Sequence, residues 1–287
     1  MPAIVYPEDW LKSQFPAISS LTPLDSGGQK CAYTGTHATD GSVVLKIFHP
    51  ATDPARALRE IQAVHSIESS RIPRIYEVGK IVHDHDELIW VREQHVPGRN
   101  LRNLIATGRL SERAIFTVAL HVLEALTAAE NARIVHRDVK PENIILNDNP
   151  ASAWLLDFGI ARHLDLESIT STAAVFGMGT YGYSPPEQFR NRKTEIDSRA
   201  DLFALGVTLY ECVEGTNPFR DGARDVLEVM HRLENVALPP IARNVEPSGQ
   251  FRELVVAMTR TRRDHRLARV QDAFSWMQDI CRINGLP

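Results

Sequence analysis

The feature that most constrains this chain is a short run of eight residues, rich in polar side chains, from His136 to Asn143. A second motif, Asp157-Phe158-Gly159, follows it. In phosphoryl transfer a carboxylate orients and deprotonates a hydroxyl, and a cation neutralises charge on the moving phosphoryl group. An amide oxygen and a second carboxylate hold magnesium against the phosphates. The residues that fit these four roles, in that order, are Asp138, Lys140, Asn143 and Asp157. The sequence therefore indicates phosphoryl transfer.

The two motifs together resemble the catalytic loop and the metal-binding motif of the eukaryotic-type (Hanks-type) serine/threonine protein kinases. The resemblance runs over residues 21–285. It implies an α+β, bilobal protein-kinase-like fold, with a small antiparallel β-sheet lobe carrying one helix, a larger mainly helical lobe, and the nucleotide between them. We therefore expect a short N-terminal extension over 1–20 and a single kinase domain made of an N-lobe (21–94) and a C-lobe (95–287).

Composition excludes several other classes. The chain has 32 basic and 36 acidic residues, a net charge of −4, which argues against nucleic acid as a partner. Three widely spaced cysteines fit a reducing cytosol better than a disulfide framework. The start lacks the basic and apolar regions of a signal peptide, and no stretch approaches the ~20 apolar residues of a membrane span. We expect a cytoplasmic protein that binds neither membrane nor nucleic acid.

The pattern of apolar residues predicts strands first and helices later. A turn at Asp40-Gly41 should place 43–48 in the second arm of a hairpin. Two more strands are expected near 74–82 and 87–91, and Asp53-Pro54 should begin a helix. Ser111 should cap a long amphipathic helix. Further helices are expected near 198–214, 223–233, 251–259 and 270–283.

In the small lobe the resemblance implies a phosphate clamp. Lys46 corresponds to the family's phosphate-binding lysine, and Glu60 on the following helix corresponds to its ion-pair partner. An exposed lysine on a strand and an exposed glutamate on a helix are the alternative for these two residues.

The glycine-rich loop departs from the family's pattern. Asp25 and Lys30 replace its first and third glycines, while Gly27 and Gly28 keep the freedom that lets backbone amides approach phosphates. We expect weaker ATP affinity than in kinases with an intact loop, and we expect Asp25→Gly to lower the Michaelis constant for ATP.

The hinge between the lobes allows two alignments. Counting back from Gly98 places Gln94 at the family's hinge glutamate and Glu93 at the gatekeeper, so that Gln94, His95 and Val96 line the adenine edge. The alternative shifts by one residue and makes Arg92 the gatekeeper. In the first alignment a buried Glu93 needs a cation, and Lys46 is the nearest, so Glu93 would compete with Glu60 for it.

In the large lobe the resemblance covers the end of the activation segment and the central helix. Thr180 should pack near Asp138 and Lys140 and help to recognise the substrate hydroxyl. Glu187 needs a buried cationic partner, for which Arg266 and Arg269 are both candidates. Asp201 corresponds to the aspartate that braces the catalytic loop, and a buried aspartate without a partner would be costly.

Regulation by phosphorylation is also implied. Arg137 precedes the catalytic aspartate, and in the family such an arginine commonly receives an activation-loop phosphate. Thr172 is our first candidate for that phosphate and Thr170 the second. A phosphate there could form bidentate hydrogen bonds with Arg137.

The sequence thus predicts an ATP-dependent protein serine/threonine kinase that uses Mg²⁺ (or Mn²⁺) held by Asn143 and Asp157. Lys140 and the Pro141-Glu142 pair resemble the serine/threonine-specific branch. The resemblance leaves the protein substrate unknown and allows a transient homodimer for trans-autophosphorylation. One alternative is a pseudokinase or scaffold module, because the glycine-rich loop is altered. Another is a small-molecule kinase of the aminoglycoside or choline kind, but those lack the activation segment.

Overall fold

The computed structural model describes residues 6–24, 30–49, 54–147, 152–158 and 181–285. The chain divides into two compact units. Of the described residues, the first unit contains those up to 66 and 73–96, and the second contains 67–72 and those from 97 onward. The lobe boundary expected near residue 94 stays a prediction.

The first unit is built on a five-stranded antiparallel sheet with the order β1-β2-β3-β5-β4. Its strands β4 and β5 form a hairpin through Asp84 and His85, which both have left-handed backbone angles (φ 48° and 75°), as a tight two-residue turn requires. The strands are β1 Ile18–Pro23, β2 Lys30–His37, β3 Gly41–Phe48, β4 Ile75–His83 and β5 Asp86–Gln94.

Side chains alternate between the two faces of this sheet, and each face packs against a different helix. On one face, Leu45 and Leu88 belong to a buried cluster with Leu11 of helix α1 (Glu8–Gln14). On the other face, Phe48 and Val91 pack with Ile61 of helix α2 (Pro54–His65). Lys46, two residues before Phe48, therefore lies on the face that carries α2. Helix α1 occupies the segment that we expected to be an extension.

The second unit is mainly helical and contains a small three-stranded sheet with the order β6-β7-β8. Its central helix, α6, buries almost every residue along its length, so it lies inside the helical core. Among the described helices, none is both long and apolar enough to cross a membrane. The elements are β6 Arg99–Asn100, α3 Leu101–Ala106, α4 Glu112–Asn131, β7 Ile144–Leu146, β8 Ala153–Leu155, α5 Pro186–Phe189, α6 Ser198–Glu214, α7 Val226–Asn235, α8 Gln250–Met258 and α9 Val270–Ile283.

Capping residues explain where several helices begin. The hydroxyl of Ser111 accepts a hydrogen bond from Ala114 N at 3.2 Å, which confirms the predicted start of α4. The predicted bounds of α6 and α9 are also confirmed. Helix α7 was predicted to start at residue 223, but it starts at Val226, because the carboxylate of Asp225 caps it by accepting from Glu228 N at 2.8 Å.

Candidate active site

The catalytic loop lies in the second unit, between α4 and β7, and brings three of the predicted residues together. The Oδ2 atom of Asp138 lies 2.9 Å from the Nδ2 atom of Asn143 and 2.9 Å from the Nζ atom of Lys140. The same Asn143 amide nitrogen donates to the main-chain oxygen of Asp138 at 2.8 Å. One carboxylate, one cation and one amide therefore meet at the Oδ2 atom of Asp138, and the catalytic roles assigned to the three residues stay predictions.

The central helix α6 supports the catalytic loop through hydrogen bonds. Asp201 on α6 is buried and accepts hydrogen bonds from the backbone N–H groups of His136 and Arg137, both at 2.7 Å. These bonds hold Arg137 in a left-handed conformation (φ 64°). Burial raises the pKa of Asp201 to about 7, and the two N–H donors oppose that rise. The predicted bracing role of Asp201 is confirmed.

His136 is a buried packing residue. Its Nδ1 atom accepts from Asp138 N at 3.2 Å, so the ring proton resides on Nε2, which lies 2.8 Å from Leu156 O. Burial lowers the pKa of His136 to about 4, which keeps the ring neutral near pH 7. Its ring centroid is 4.5 Å from that of Phe158. His136 thus ties the catalytic loop to the Asp157-Phe158 segment.

The register of a short hairpin positions the two candidate metal ligands. In the antiparallel pair β7 and β8, Ile144 is opposite Leu155, and Leu156 N donates to Asn143 O at 2.8 Å. The residue after Leu156 is Asp157, so Asn143 and Asp157 lie at the same end of the hairpin. Asp157 has a left-handed backbone angle (φ 56°).

The orientation of the Asn143 amide suits a metal ligand. Its nitrogen donates to Asp138, and no hydrogen bond between described residues uses its oxygen. An amide oxygen and a carboxylate are ligands that Mg²⁺ prefers. The residues present therefore fit a magnesium site.

In the first unit, Lys46 forms an ion pair with Glu93. Lys46 on β3 is opposite Val91 on β5, and Glu93 lies two residues further along β5 on the same face. Arg92 points to the other face, where it pairs with Asp40 and, at 3.0 Å, with Glu77. Glu93, rather than Arg92, thus occupies the face that carries Lys46, as the first hinge alignment requires.

The remaining predicted residues of this unit lie on α2 and after β5. Glu60 precedes the buried Ile61 on α2, and its predicted ion pair with Lys46 stays a prediction. Gln94 N donates to Arg74 O at 2.8 Å. The N–H of His95 also has an acceptor, the main-chain oxygen of Ser42 on β3. Val96 is buried, and no hydrogen bond between described residues uses its N–H.

The open choice for the partner of Glu187 is resolved within the second unit. Arg266 binds both carboxylate oxygens of Glu187, at 2.6 and 3.1 Å, and both residues are buried. Arg269 instead pairs with Asp272 at the surface, at 2.6 Å.

The sequence did not predict a second charged network beside the loop, centred on Arg102 of α3. Its Nε atom lies 2.8 Å from Glu142 and its Nη1 atom 2.6 Å from the buried Glu211 of α6. Arg102 also contacts the hydroxyl of Tyr183, whose pKa is raised by burial. These partners are far from Arg102 in sequence, so no local pattern signals the network.

Several predicted residues lie outside the described residues. They are Asp25, Gly27, Gly28, Thr170, Thr172 and Thr180. Their roles stay predictions.

Comparison with known proteins decides the family. The family model for the protein kinase domain matches residues 19–278. This chain belongs to the protein kinase family. The family resemblance that the catalytic loop indicated is therefore confirmed.

Curated relatives of this kinase come from several bacteria. A probable serine/threonine-protein kinase PknB of Corynebacterium glutamicum is 30% identical over 91% of this chain and 41% of its own length. PknB of Bifidobacterium longum, also described as probable, is 36% identical over 66% of this chain and 28% of its own. PknL of Mycobacterium tuberculosis is 34% identical over 82% of this chain and 58% of its own. The chain thus spans between about a quarter and three fifths of the length of these relatives.

A solved structure supports the fold. The structure of Rad53 1–466 in complex with AMP-PNP matches 92% of this chain and 66% of its own with a TM-score of 0.71 and 21% identity. The predicted α+β kinase-like fold is therefore confirmed.

Proposed function

We propose that this kinase transfers the γ-phosphate of ATP to serine and threonine hydroxyls of protein substrates. The observation that carries the proposal is the contact of Asp138 with both Lys140 and Asn143. The bacterial relatives are named serine/threonine-protein kinases, which supports the same activity and the same choice of hydroxyl.

In this proposal Asp138 orients the substrate hydroxyl and accepts its proton. Two contacts at Oδ2 restrict rotation of its carboxylate, so the group is held before substrate arrives. The charge of Lys140 lies next to this carboxylate, where it would offset negative charge on the transferring phosphoryl group. Thr180 would contribute to recognition of the substrate hydroxyl.

Asn143 and Asp157 would hold the metal. Bound Mg²⁺ or Mn²⁺ would neutralise charge on the phosphates. The amide orientation of Asn143, fixed by its two bonds to Asp138, supports its role as a ligand through oxygen.

Residues of the first unit would bind the nucleotide. Lys46 would contact the phosphates, with Glu60 as a partner, and Gly27 and Gly28 would approach them through the backbone. The Val96 N–H, which no hydrogen bond between described residues uses, would donate to the adenine edge. Gln94 would contribute through its carbonyl group.

Cys31, Cys212 and Cys281 are buried thiols, which supports a reducing, cytoplasmic location. Transient homodimers for trans-autophosphorylation are part of the proposal. The pseudokinase alternative depends on the glycine-rich loop, of which residues 25–29 lie outside the described residues.

The test is incubation with radiolabelled ATP, Mg²⁺ and a generic protein substrate such as myelin basic protein, followed by analysis of the labelled amino acids. We expect phosphoserine and phosphothreonine. Nucleotide binding without any transfer of label would favour the pseudokinase instead.

A further inference from the structure

The ion pair between Lys46 on β3 and Glu93 on β5 joins two neighbouring strands, on the face of the sheet that carries α2. The side chains are 9% and 12% exposed, so both charges are largely removed from water. Phe48 and Val91 pack on the same face, in the cluster that includes Ile61. The pair therefore lies in a low-dielectric environment, where charges interact strongly.

Glu93 has few ways to exchange its partner. Among the described residues, Glu93 forms an ion pair with Lys46 and with no other residue. Arg92, its neighbour in sequence, is held on the opposite face by Asp40 and Glu77. If Lys46 moved away, a largely buried carboxylate would be left without its cation, which is costly.

A second negatively charged group that needs Lys46 must therefore share it with Glu93. Nucleotide phosphates are such a group, and they also experience direct repulsion from the Glu93 carboxylate. The competition for Lys46 and the repulsion from Glu93 both increase with the number of phosphates, and both are absent for a nucleoside.

We propose that Glu93 is a specificity-determining residue that lowers the affinity of the site for nucleotide phosphates by competing with them for Lys46. The inference rests on the proposed function, because it assigns Lys46 to phosphate binding.

The test compares the dissociation constants of adenosine, ADP and Mg-ATP for the wild type and for Glu93→Gln, by isothermal titration calorimetry. Glutamine keeps the size of the side chain and removes its charge. We expect affinity for Mg-ATP to rise about tenfold, affinity for ADP to rise less, and affinity for adenosine to stay unchanged. Glu77→Gln is the matched control, because it removes the same charge from the opposite face of the same sheet, and it should change none of the three constants.

A second variant, Glu93→Met, keeps the test decisive if the glutamine variant is unstable, and it should show the same dependence on phosphate number. Unchanged or weaker binding of Mg-ATP by the folded variants would overturn the inference. So would an equal change for adenosine, because that would show an effect on the adenine pocket. A wild type that transfers phosphate while its variants show no such dependence would contradict this inference alone. A wild type that binds no adenine nucleotide would contradict the proposed function.

Discussion

Asn143 donates from a single amide nitrogen to both the carboxylate and the main-chain oxygen of Asp138, at 2.9 and 2.8 Å. This relationship couples two predicted roles. The asparagine restrains the carboxylate that, in the proposed function, receives the substrate's proton, and it uses its nitrogen to do so, which leaves its oxygen for the proposed metal.

The first prediction concerns this coupling. Asn143→Ala removes both the restraint on Asp138 and one metal ligand, so kcat should fall about 100-fold, and the Mg²⁺ concentration for half-maximal activity should rise. Steady-state kinetics over a range of Mg²⁺ concentrations measures both. Asn147→Ala, at the other end of β7, is the control and should keep wild-type kinetics. A wild-type kcat for the Asn143 variant would refute the assignment.

The second prediction concerns the buried pair between Glu187 and Arg266. Arg266→Ala leaves a buried carboxylate without its cation, and the free energy of unfolding should fall by about 3–5 kcal/mol. Arg269→Ala removes an arginine whose side chain is 67% exposed and should cost at most about 1 kcal/mol. Urea unfolding of the two variants tests the difference. Equal losses would contradict the choice of Arg266 as the structural partner.

The third prediction concerns His121 on α4, whose Nδ1 atom accepts from Ala153 N at 2.9 Å. Burial lowers the pKa of His121 from 6.5 to about 4 in the folded protein. Between these values the unfolded chain binds a proton that the folded chain does not. The stabilisation is therefore present above pH 6.5 and is lost as the pH falls through about 4.

His121→Asn keeps an acceptor for Ala153 N and removes the titration. Between pH 6.5 and 4, the wild type should lose about 2–3 kcal/mol relative to this variant. The shifted pKa values of His136 and Asp201 occur in both proteins and cancel in the difference. Urea unfolding across this pH range gives the two curves, and parallel curves would show that His121 is not responsible.

Much of the fold followed from local signals. Helix α6 was predicted with its observed bounds; at its start Asp197 caps Arg199 N, and at its end Gly215 adopts a left-handed angle (φ 82°). Helix α1 was missed, because seven residues give little periodicity and its Leu11 is held by packing against the sheet. Tertiary contacts of this kind leave no local pattern.

The candidate site also contains some contacts that the local sequence indicated and others that depend on tertiary structure. Asp138, Lys140 and Asn143 lie within six residues, so a single motif indicated their proximity. The Arg102 network could not be predicted, because Glu211 is 109 residues away in sequence. The choice between Arg266 and Arg269 also needed coordinates, since both precede α9 and only their burial distinguishes them.

The most direct test of the central claim is the kcat of Asp138→Asn with its ATP dissociation constant. Asparagine keeps the shape of the side chain and cannot accept the substrate's proton, so kcat should fall at least about 1000-fold while ATP affinity stays close to wild type. Asp279→Asn, an exposed change on α9, is the control and should retain full activity. Phosphorylation by the Asp138 variant at the wild-type rate would contradict the account.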